Sequence, residues 1–156
     1  HQVLDHASLL MRGLNDQLSV PISRHTENQR KDMEAFPQLE ILIESDVAGI
    51  CLVHDRKLHH VHMFNHMEYD STTLGDEYRR DLEKGENIKV PFGYFPNDDD
   101  TKAPINTWRS SAHLLFGNWL NSLYQTTPFD MSEVGDPGTK VFVPGQNRSK
   151  PGHRID

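Results

Sequence analysis

The densest chemistry in the chain lies in one window, His54 followed by His59-His60-Val61-His62-Met63-Phe64-Asn65-His66-Met67-Glu68-Tyr69-Asp70. Two kinds of chemistry fit residues of these types at this spacing. On a strand over residues 59–64, His60, His62 and Phe64 share one face while Val61 and Met63 share the other. Two histidines two apart could then chelate a metal, with His66 or Glu68 as a further ligand. Alternatively, His66-x-Glu68 is a base and its orienting carboxylate just past a strand's carboxyl end. A histidine acting as a base needs an acceptor on its second ring nitrogen to fix the tautomer, and a glutamate two residues on can reach it. A third reading is bland: His-x-Glu recurs by chance, and most histidines are partly exposed and inert. From this window alone all three stay open.

The elements that must position these residues are readable in outline. Residues 18–23 read as a short strand and Thr26 as the N-cap of a helix to about residue 36, stopped by Pro37. Strands follow at 39–44, 49–54 and 59–64. Residues 70–84 read as a helix capped by Asp70 or Ser71, with Leu74, Tyr78 and Leu82 on one face and Lys84-Gly85 as its stop. A loop over 86–105 leads to the strongest helix signal, the stripe Trp108, Ala112, Leu115, Phe116, Trp119, Leu120 and Leu123, ended by Pro128. Trp108 and Trp119 are expected in the core under any reading. Strands interleaved with helices give α/β, although 39–64 alone also suits an antiparallel meander. Residues 132–156, rich in Gly, Pro and isolated basic residues, are expected to form a poorly ordered tail behind a domain of residues 1–131.

Composition narrows the function classes. With 16 Lys and Arg against 23 Asp and Glu, the net charge of −7 leaves no basic stripe for nucleic acid. One or two arginines would still suffice for an anionic substrate. No apolar run approaches the length of a membrane span. The start, His1-Gln2-Val3-Leu4-Asp5-His6, does not read as a signal peptide, and without an initiator Met the chain reads as trimmed. Cys51 is the only cysteine, so no internal disulfide forms and a reducing cytoplasm is the expected compartment.

Longer motifs then weight the histidine window. They are Pro21-Ile22-Ser23-Arg24-His25-Thr26-Glu27, Asn65-His66-Met67-Glu68-Tyr69-Asp70, Thr73-Leu74 and Glu77-Tyr78-Arg79-Arg80-Asp81. Further on come Tyr94-Phe95-Pro96, Thr107-Trp108-Arg109-Ser110, Asn118-Trp119-Leu120-Asn121 and Thr127-Pro128-Phe129-Asp130. Together, over residues 1 to about 134, they resemble the homoserine O-succinyltransferase and O-acetyltransferase family, which has a class I glutamine amidotransferase-like three-layer fold. The resemblance implies that this chain is the C-terminal part of such a domain.

It also implies a reaction: transfer of a succinyl or acetyl group from acyl-CoA to the hydroxyl of L-homoserine in methionine biosynthesis. A cysteine takes the acyl group, and a histidine oriented by a glutamate deprotonates the acceptor. The resemblance carries the histidine onto His66, the glutamate onto Glu68, and contacts to the amino-acid substrate onto Ser23 and Arg80. It implies no cofactor beyond the acyl-CoA co-substrate, no metal, and a homodimer for the complete protein. Without it, Arg80 reads as a helix-surface partner of Asp76 or Glu77, and Ser23 as a turn residue.

Some positions depart from the family's pattern. Gly-His-Pro-Glu is Asn-His-Met-Glu at 65–68, Pro-His-Ser-Arg is Pro-Ile-Ser-Arg at 21–24, and Ser111 stands where a histidine is common. The family's nucleophile, oxyanion donors and substrate-binding lysine belong to a preceding half, so succinyl against acetyl is not legible here. Cys51, between Ile50 and Leu52 in a strand, reads as an inert core residue and not as that nucleophile. The rival readings are a metal module built on His60, His62 and His66, and a non-catalytic remnant that binds a homoserine-like ligand.

Overall fold

Ile50, Cys51, Leu52 and Val53 form a continuous apolar run, which suits a strand covered on both faces, and all four are buried. They belong to β3 (Gly49–Asp55), the third strand of a four-stranded antiparallel sheet in the computed structural model. That structure describes residues 1–128. The order is β1 (Gln2–Val3), β2 (Leu39–Ser45), β3 and β4 (His60–Met63). Residues 39–64 are thus the meander that the sequence left open.

Turn chemistry fixes the register. The Ser45 hydroxyl accepts N–H bonds from Val47 and Ala48, both 3.2 Å, and Gly49 (φ +66°) adopts the left-handed turn conformation into β3. At the next turn the buried Asp55 carboxylate accepts from Lys57 and Leu58 N–H at 2.9 and 2.8 Å. A register shift in β2 around Ile43 lets the consecutive Leu42 and Ile43 both turn inward.

Residues His1–Gln125 group into one compact unit holding two apolar clusters. The larger joins Leu42, Ile43, Cys51 and Leu52 to Leu10, Met11, Leu18 and Val20, and to Met67, Ala112 and Leu115. The second is largely aromatic: Leu74, Tyr78, Tyr94, Phe95 and Trp108.

Three α-helices occur among the described residues: α1 (Arg30–Glu34), α2 (Thr73–Glu83) and α3 (Arg109–Thr126). Several expectations need correction. Residues 18–23 form no strand, and an isolated Gln2–Gln17 bridge lies just before them; Pro21 has no N–H for a ladder, and its carbonyl serves His66. The helix expected from Thr26 is only α1, because the polar run before it has no apolar face to bury. Neither Asp70 nor Ser71 caps α2 with its side chain, and Leu82 is exposed. The apolar stripe of α3 is half used. Trp108, Ala112 and Leu115 are buried, whereas Phe116, Trp119 and Leu120 face solvent, so Trp119 is not a core residue in this unit. The expected tail, 132–156, lies outside the described residues.

Candidate active site

β4 delivers its chain end straight into the histidine turn. Phe64 N–H donates to the Cys51 carbonyl at 2.8 Å, completing the last contact to β3. The next residues alternate inward and outward: Asn65 and Met67 are buried, and His66 between them projects outward. The His66 backbone N–H donates to Pro21 O at 2.9 Å, which ties the turn to the 18–24 segment. The backbone of His66 is therefore held on both sides and from across.

The His66 ring has three partners. Nδ1 lies 2.7 Å from Glu68 Oε1, Nε2 lies 3.3 Å from the Ser23 carbonyl oxygen, and the Tyr69 ring stacks on it at 4.3 Å between centroids. A carboxylate on Nδ1 selects the tautomer with its proton there, which leaves Nε2 as the basic nitrogen. Once Nε2 takes a proton, the Ser23 carbonyl stands ready to accept a bond from it. The side chain of His66 is 31% exposed and that of Glu68 56%, so the pair is open to a substrate and also to screening water.

Tyr69 is itself held firmly. Its hydroxyl donates to Glu77 Oε1 at 2.9 Å, and its carbonyl accepts from Trp108 Nε1 at 2.9 Å. Burial pushes the phenol up to about 12, the hydrogen bond and charge of Glu77 add to the shift, and Ser23 opposes it. Tyr69 therefore remains a donor. The other Glu77 oxygen, Oε2, is buried without a protein partner.

The structure brings His66, Glu68 and Ser23 together, although it is the Ser23 carbonyl, and not its hydroxyl, that faces the imidazole. It does not bring Arg80 to them. The Arg80 guanidinium makes a two-point contact with its neighbour Asp81, Nε and Nη2 donating at 2.8 and 3.0 Å. That bond raises the Arg80 pKa, with burial opposing and the charges of Asp81 and Glu77 adding. The helix-surface partner is thus Asp81, in place of Asp76 or Glu77.

The histidines of the metal-module reading, His60, His62 and His66, are not gathered into one cluster. His60 and His62 meet edge to face at 5.9 Å on the exposed side of β4, but no group of three or more His, Cys, Asp or Glu among the described residues is placed to hold a metal ion. Cys51 is fully buried, and burial pushes its thiol up to about 12. Such a thiol has no nucleophilic role near neutrality. A cavity of about 610 Å³ opens beside the site, lined among others by Pro21, Ile22, Arg24, Phe92, Tyr94 and Trp108, but His66 and Glu68 do not line it.

Residue types alone did not disclose the parts of Tyr69 and Glu77. Tyr69 follows Glu68 directly, but its link to Glu77 depends on how α2 is set against the histidine turn. No helix of the described residues is long and apolar enough to cross a membrane.

Comparison with known proteins agrees with the motifs. The profile of the homoserine O-succinyltransferase family matches residues 1–129. A homoserine O-acetyltransferase of Rhizobium leguminosarum bv. trifolii is 53% identical over 135 residues, covering 86% of this chain and 44% of that protein. One from Agrobacterium fabrum is 52% identical with the same coverage of both chains, 86% and 44%. A homoserine O-succinyltransferase of Pelagibacterium halotolerans is 48% identical, again over 86% of this chain and 44% of its own length. The chain therefore spans less than half the length of the curated relatives it matches.

Proposed function

The chain belongs to the homoserine O-succinyltransferase family, and from that premise we propose that it supplies the general base of an acyl transfer from acyl-CoA to the hydroxyl of L-homoserine. The reading includes the rest of the resemblance: a three-layer amidotransferase-like domain, a cytoplasmic place in methionine biosynthesis, and a homodimeric complete protein. The observation that carries it is the His66–Glu68 contact at 2.7 Å, which leaves Nε2, on the side of the ring that faces the Ser23 carbonyl oxygen, as the basic nitrogen of a partly exposed side chain.

An alcohol ionises far above neutral pH, so it needs a positioned base to attack a thioester. In the proposed step Nε2 takes the hydroxyl proton while the oxygen bonds to the acyl carbon. The C–S bond to a cysteine then breaks, and the thiolate leaves with the bonding electrons. Glu68 stabilises the imidazolium that forms. The buried, unionised Cys51 cannot be that cysteine, so the reading assigns the thiolate to another part of the complete protein. Ser23 and Arg80 would contact the amino-acid substrate, with Arg80 exchanging Asp81 for the substrate carboxylate in its bidentate fork.

The test is direct. The complete protein, mixed with succinyl-CoA or acetyl-CoA, should release CoA in proportion to added L-homoserine and form the O-acyl ester, identifiable by mass. No homoserine-dependent release from either donor would overturn the reading.

A further inference from the structure

We propose that Tyr69 is a positioning residue, a ring platform that sets the plane of the His66 imidazole and transmits to it the rigidity of the aromatic cluster. The inference rests on the reading of His66 as the base and adds a residue to which no role has been assigned.

Glu68 alone does not fix the ring. Its carboxylate is a single contact from a side chain that is more than half exposed, and such a chain keeps much of its rotamer freedom. A stack constrains a different coordinate. The two rings lie nearly parallel, 17° apart at 4.3 Å, so rotation of the imidazole out of this plane loses the contact. Together a hydrogen bond in the ring plane and a surface beneath it define the direction in which Nε2 points.

The platform is anchored at three places. Its hydroxyl is held by Glu77 on α2, its carbonyl by the Trp108 indole, and its ring packs against the cluster of Leu74, Tyr78, Tyr94, Phe95 and Trp108. Trp108 and Tyr94 are buried, and the Tyr94 hydroxyl donates to Ser71 O while accepting from Gly75 N–H at 3.1 Å. Tyr69 is therefore the point at which a rigid cluster meets a half-exposed base. A base misplaced by a fraction of an ångström loses rate without losing substrate affinity.

The experiment uses the complete protein. Tyr69→Leu removes the ring, and Tyr69→Phe keeps the ring but gives up the hydroxyl. The leucine variant should lower kcat about tenfold or more while leaving KM for both substrates within about twofold, and the phenylalanine variant should recover most of the loss. In ¹³C-histidine-labelled protein, the His66 Cε1–H resonance, assigned by its disappearance in His66→Ala, should carry a ring-current shift that Leu abolishes and Phe retains. Unchanged kcat in the leucine variant, an unmoved resonance, or a phenylalanine variant as impaired as leucine would overturn the proposal. Should the leucine variant fail to fold, the wild-type protein decides through the nuclear Overhauser contact between the two rings, whose absence is equally fatal. An active His66→Ala protein would sink the base assignment without touching the stack, which the resonance reads separately.

Discussion

Replacing Glu68 by glutamine isolates the charge that sits on the base. The substitution is nearly isosteric, and the amide oxygen can still accept the Nδ1–H bond. What is lost is the negative charge opposite the imidazolium that forms as the hydroxyl proton is taken. At the observed 2.7 Å separation, that attraction is about 1.5 kcal/mol in the dielectric of water and about 3 kcal/mol at half that value. The pair is half exposed, which favours the lower part of the range. The turnover of the complete protein should therefore fall about tenfold to about 150-fold. Stability should hardly change, since an exposed ion pair contributes about 0–1 kcal/mol, which moves the melting temperature by less than about 4 °C. The assay is CoA release at saturating homoserine, normalised to folded protein, beside a thermal melt. A large fall in melting temperature with the rate per folded molecule unchanged would make Glu68 a structural residue. Unchanged rate and unchanged melting would remove it from the site altogether.

Other expectations follow from the same geometry. Arg80→Lys should raise KM for homoserine more than KM for acyl-CoA, because a point charge replaces a two-point fork; equal effects on both substrates, or none, would leave Arg80 as the surface partner of Asp81. Cys51 should resist thiol reagents until the protein unfolds, and it should make stability fall at alkaline pH. Its folded value of about 12 lies above the ordinary 9.0, so its contribution is complete below pH 9 and is lost as pH rises towards 12. Cys51→Ala should flatten that slope, and an unchanged slope would assign the loss to other groups. Residues 1–156 expressed alone should release no CoA and should self-associate through the exposed Phe116, Trp119 and Leu120 face of α3; catalytic CoA release abolished by Cys51→Ser, or a monomer that melts cooperatively, would contradict each half.

Much of the scaffold was legible because its signals are local. The apolar run of β3 and the Lys84-Gly85 stop each follow from neighbouring side chains. The 18–23 segment misled because its carbonyls are used by a residue more than forty positions away, as in Pro21 O to His66 N–H. Periodicity identified α3 but could not say which part of its stripe would be covered, and Trp119 ended in solvent. The pairing of His66 with Glu68 was readable at a spacing of two. The Tyr69 platform was not, because it depends on where α2 and Trp108 come to rest in three dimensions.

His66 is the residue on which the proposed chemistry depends. In the complete protein, His66→Ala should lower homoserine-dependent CoA release by at least about a hundredfold, the usual share of a general base, while the thermal melt stays close to that of the parent. Near-normal turnover of acyl-CoA and homoserine by that variant would contradict it.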